Sequence, residues 1–115
     1  MLQLAVAIFA VGAVGGLILA SHVLRGRLAP WALSLIHAAL GATGLVLVGR
    51  AVLNGTARGL IPIALLILVI AALGGFFLAS IHLRKQVAPR PVVMIHAGAA
   101  VVGFLLLAGS VFSLI

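Results

Sequence analysis

Every charged residue in this chain is positive, and every one falls in a gap between apolar stretches. There are seven Lys and Arg and no Asp or Glu among 115 residues. Arg25 and Arg27 occupy the first gap, Arg50 and Arg58 the second, and Arg84, Lys85 and Arg90 the third. A soluble domain solvates itself with about a quarter of its residues charged. Here 6% are charged, 66% are hydrophobic and the mean hydropathy is +1.52. Such a chain has almost nothing with which to coat an aqueous surface, so its exterior must face lipid.

The apolar stretches are Leu2–Leu24, Trp31–Gly49, Leu60–Leu83 and Pro91–Leu114. At 1.5 Å per residue each can cross the roughly 30 Å hydrocarbon layer as a helix. Pro30, Pro89 and Pro91 suit the first turn of a following helix, where a missing N–H costs nothing. Asn54-Gly55 is a turn signal. Membrane strands would alternate apolar and polar residues, and these segments do not. The first segment has no basic region before it and outruns a signal-peptide core, so it reads as a retained helix. The expectation is a single all-α transmembrane domain over 1–115, an integral membrane four-helix up-down bundle.

Gaps one and three carry five of the seven basic residues and gap two carries two. Basic loops stay cytoplasmic. This places gaps one and three inside, and both termini with gap two on the non-cytoplasmic side of a cell inner membrane. Trp31 lies where an interfacial aromatic anchor belongs. No basic helix face or basic–aromatic interleaving accompanies the +7 charge, so nucleic acid is not an expected partner. The charges read as topology signals and lipid-headgroup contacts.

The sequence repeats at an offset of 59, with residues 13–44 aligning to 72–103 without gaps. Gly15-Gly16-Leu17-Ile18-Leu19-Ala20-Ser21 answers Gly74-Gly75-Phe76-Phe77-Leu78-Ala79-Ser80. Leu24-Arg25 answers Leu83-Arg84, Ala29-Pro30 answers Ala88-Pro89, and Ile36-His37-Ala38 answers Ile95-His96-Ala97. Low-complexity Leu and Ala would not bring Arg, Pro, His and Ser into register. Two hairpins, about 1–55 and 56–115, are therefore expected in the same orientation, related by an axis along the membrane normal.

Ionisable residues inside membrane helices are costly and point to function. This chain has four, His22, His37, His82 and His96, all near the membrane face that holds gaps one and three. His37 and His96 lie roughly 7–9 Å into their helices. Each histidine has a glycine seven residues toward the membrane interior: Gly15, Gly44, Gly75 and Gly103 respectively. Seven residues is nearly two turns, so each glycine shares its histidine's face. A b-type heme needs two axial imidazoles from facing helices and small residues beside the macrocycle. His37 and His96 are the repeat-related ligand candidates, Gly44 and Gly103 would clear room for the ring, and Arg25 and Arg84 would pair with the propionates. His22 and His82 are further candidates, but they fall one position out of register. One residue turns a helical side chain by about 100°, so they cannot be equivalent ligands.

In its four-helix plan, with His37 and His96 as ligand candidates, the chain resembles the four-helix membrane cytochromes b, cytochrome b561-like proteins in particular. That resemblance implies heme b, electron transfer, and other membrane redox subunits or a quinone as partners. The repeated "His-Leu-Arg, then Pro, then Ile-His-Ala" pattern also resembles small four-helix bacterial membrane proteins with a duplicated His-containing hairpin, a likeness that brings no function with it.

Two other readings stay open. One is a non-enzymatic structural or accessory membrane protein, a homo-oligomer among its options, whose histidines bond to carbonyls at the interface and whose glycines permit close packing, as in the Gly12/Gly16 pair. The other is a histidine-based metal or proton site, with His37 and His96 as metal ligands. A carboxylate-driven transporter lacks its acid, as does a Ser-His-acid hydrolase built on Ser21 or Ser80. No catalytic residue is assigned. With zero cysteines, thiolate chemistry is excluded.

Overall fold

The computed structural model describes residues 1–115 as four helices: α1 Leu2–Leu24, α2 Trp31–Leu53, α3 Ile61–Leu83 and α4 Arg90–Val111. Backbone groups in lipid must be satisfied within the chain, and a helix does this residue by residue. Helices of 22 or 23 residues cover the hydrocarbon layer, and all four are apolar enough to cross a membrane.

The turns follow from local sequence. α1 and α3 close identically: Arg27 N–H donates to the His22 carbonyl, and Gln86 N–H to the Ile81 carbonyl. This six-to-one closure needs a left-handed residue just past the helix end. Gly26 supplies it at φ +73° and Lys85 at φ +58°. α2 does not stop at Gly49; it continues through Arg50 to Leu53. Arg50 does not break it, because a long basic side chain in a last turn can reach the interface. The stop comes at Asn54-Gly55, where Gly55 has φ +77° and Asn54 Oδ1 accepts from Thr56 N–H and Oγ1–H. Pro30 and Pro89 stand immediately before α2 and α4.

The helices run up-down-up-down. α1 packs on α2 and α3 on α4 as close hairpins, and the hairpins meet along thinner α2·α3 and α1·α4 seams. The diagonal pairs α1/α3 and α2/α4 make no close backbone approach. The bundle measures 42 × 21 × 19 Å.

Only 16 of 115 residues are buried and none of them is polar or charged, which leaves a thin core. Its centre is Ala5, Val6, Val48, Ile61, Ala64, Leu68 and Leu107. All seven lie in the half of the bundle away from gaps one and three. Outward-facing Leu17, Phe76, Ile95 and Leu105 are 60–72% exposed, an apolar surface suited to lipid rather than water. The protein is an integral membrane four-helix bundle.

Candidate functional site

The half of the bundle nearer gaps one and three holds all four histidines. His37 on α2 and His96 on α4 come together across the bundle diagonal. Their ring centres are 6.2 Å apart and their planes stand at 85°. Both are part-buried inside the bundle.

Each imidazole is fixed within its own hairpin. His37 Nδ1 lies 2.8 Å from the Gly12 carbonyl on α1. His96 Nδ1 lies 2.8 Å from the Ala71 carbonyl on α3. A carbonyl can only accept, so Nδ1–H donates in both rings, which in the neutral imidazole leaves the lone pair on Nε2. No protein group bonds to either Nε2. An imidazole oriented by a carbonyl at Nδ1 with Nε2 free is the arrangement of a prepared metal ligand.

Glycine makes this fit possible. A Cβ at Gly16 would stand 2.9 Å from His37 Cε1, and a Cβ at Gly75 would stand 3.0 Å from His96 Cε1. Each glycine belongs to the neighbouring helix of the same hairpin. Gly44 and Gly103 do something else. Phe9 packs onto Gly44, with ring atoms 2.6–2.8 Å from where a Cβ would be. Leu68 packs onto Gly103 at 2.8 Å. The clearance expected at these two glycines is filled by apolar side chains.

The other histidines do not join the pair. His22 Nδ1 donates to the Ile18 carbonyl at 2.9 Å, within its own helix. His82 pins α3 to gap one: Nε2–H donates to the Ala29 carbonyl at 2.9 Å, and Nδ1 accepts from Ser34 Oγ–H at 2.7 Å. Its ring stands edge-on to Trp31, with centres 4.9 Å apart. Both nitrogens of His82 are therefore engaged. Arg25 Nε donates to the Ser21 carbonyl and Arg84 Nε to the Ser80 carbonyl, which folds both guanidiniums onto their own helix ends. Both arginines are exposed at the rim.

The sequence singled out His37 and His96 through the repeat, but it paired Gly75 with His82 and Gly16 with Gly12, whereas the structure sets Gly16 against His37 and Gly75 against His96. A usable signal existed: Gly16 and His37 stand nearly equal distances from the turn at Gly26-Arg27, so a hairpin brings them level. No third His, Cys, Asp or Glu approaches the pair. Comparison with protein-family models, curated proteins and solved structures returns no match.

Proposed function

We propose that His37 and His96 are the axial ligands of a b-type heme and that the protein carries electrons in a cell inner membrane, alone or as a subunit of a larger redox complex. The ligand count carries this reading. Two oriented imidazoles, neither bonded at Nε2, stand with ring centres 6.2 Å apart, and no third donor side chain joins them. A bare metal ion is ordinarily held by three or four protein ligands. A porphyrin supplies four nitrogens of its own and asks the protein only for the two axial ones. The ring centres lie 6.2 Å apart, close enough for both imidazoles to serve one site.

The residues fit such a group at its donor atoms. When bound, heme would supply a one-electron carrier whose potential follows its axial ligands and burial. The protein's part is to orient the rings. The Gly12 and Ala71 carbonyls fix the tautomer, and Gly16 and Gly75 admit the imidazoles. Gly44 and Gly103 take no part in clearing a ring, since Phe9 and Leu68 occupy them. Arg25 and Arg84 keep free guanidinium N–H groups at the rim for propionates. The basic gaps orient the termini and gap two outward.

One observation favours a second reading. The filled clefts at Gly44 and Gly103 and the Nδ1–carbonyl bonds would also serve a purely structural pair that locks each hairpin. A reduced-minus-oxidised visible spectrum separates the two. Protein expressed with added heme and purified in detergent should show a sharp alpha band, absent in His37→Ala and in His96→Ala. A colourless wild-type protein leaves the structural reading standing.

A further inference from the structure

A second site emerges where twin positions 59 apart carry different residues. At the end of α3, Leu28, Ala29, Trp31, His82, Leu83 and Lys85 line an open cleft of about 310 Å³. At the corresponding end of α1 the residues differ. Arg90 stands where the cleft has Trp31, Val23 where it has His82, and Gly26 where it has Lys85. There Arg90 Nη2 reaches across to the Leu24 carbonyl at 3.0 Å.

Lys85 is the telling residue. It takes φ +58° at a position where the twin is Gly26 at φ +73°. A branched-free but bulky L residue is disfavoured there, and glycine is the ordinary occupant. The positive φ singles Lys85 out as a bulky residue standing where its twin is glycine. Its ammonium has no partner in the protein, and the chain contains no carboxylate to offer one. The cleft's walls are apolar at Leu28, Leu83 and Trp31, and His82 has both nitrogens engaged, which leaves Lys85 as the free polar group.

We propose that this cleft holds the headgroup of an acidic phospholipid, with Lys85 on the phosphate and Trp31 beside the glycerol and upper acyl chain. Charge complementarity selects the lipid class. Arg25, Arg27, Arg84 and Arg90 surround the same end, and a zwitterionic headgroup's ammonium would find no acid to pair with. Basic pockets at the cytoplasmic ends of membrane helices bind anionic headgroups in this way. Neither His37 nor His96 takes part, so the proposal stands apart from the heme reading.

Trp31 is the only tryptophan and there is no tyrosine, so its emission reports the cleft directly. The protein is placed in phosphatidylcholine nanodiscs with a small fraction of acyl-brominated lipid, either phosphatidylglycerol or phosphatidylcholine. Brominated phosphatidylglycerol should quench Trp31 with a roughly fivefold higher apparent association constant than its phosphatidylcholine counterpart. Lys85→Gly should abolish this preference while relieving the backbone, so loss of fold is not the cause. Arg27→Gln, outside the cleft, should retain most of it. Equal quenching by the two lipids, or an unchanged preference in Lys85→Gly, overturns the proposal. So does displacement of the quenching by inorganic phosphate alone, which would make the occupant a free anion.

Discussion

The two hairpins agree in their interiors and differ at their rims. Inside, the twins repeat the contacts around the histidine pair. His37 bonds the Gly12 carbonyl and His96 the Ala71 carbonyl, positions 59 apart on both sides of each bond. Gly16 and Gly75 admit the rings, while Phe9 fills Gly44 as Leu68 fills Gly103. Ser21 and Ser80 each donate to the carbonyl three residues back. At the rim the pairs are Trp31 against Arg90, Val23 against His82, and Gly26 against Lys85. A close-packed interior restricts substitution on both sides at once, because each side chain fills a space its twin also fills. The rim meets lipid headgroups and water and has no such constraint, so asymmetry collects there.

The largest test of this comparison is the histidine pair. Under the proposed heme reading, His37→Ala and His96→Ala should each remove the whole alpha band, and equally, in spectra of purified protein. A clear difference between them would break the equivalence of the two interiors. Next come the filled glycines. Gly44→Ala and Gly103→Ala should each destabilise by about 1–3 kcal/mol through overpacking, measured by unfolding in mixed micelles. Gly44→Ala and Phe9→Ala should combine less than additively, because both act on one contact.

Exchanging rim residues for their twins sharpens the contrast. His82→Val removes two hydrogen bonds between hairpins, to Ala29 and Ser34, and should cost about 1–2 kcal/mol in the same assay. His22→Ile gives up only a bond within α1 and should stay within about 0.5 kcal/mol of wild type. If the two substitutions cost the same, His82 is not the pin between hairpins that its geometry describes.

Much of this was legible in the sequence, and the rest was hidden for identifiable reasons. Hydropathy alone sets out four helices, because lipid forbids most alternatives. The end of α2 was misread at Gly49 because a charge looks like a boundary, whereas Arg50 sits in the last helical turn and Asn54-Gly55 stops the chain. The facing of His37 and His96 could be anticipated from the repeat, since twins across an axis meet if either points inward. Spacing along one helix could not reveal what lies opposite a glycine. Gly44 shares a face with His37, but α1 supplies Phe9 to that face, and nothing within α2 encodes it. The separation of His22 from His82 follows from their being one position out of register, but their actual partners depend on side chains from other segments.

The histidine pair stands where the hairpins meet, so each hairpin owns half of it. A hairpin cut loose at 54–60 would keep its own ring, its own carbonyl acceptor and its own admitting glycine. It would lack only the opposing ring. Two copies of such a fragment could therefore rebuild the central pair between themselves, but every rim feature would then appear twice or not at all. Covalent linkage is what permits a single cleft beside Trp31, and with it a molecule that presents different sides to its neighbours in the membrane.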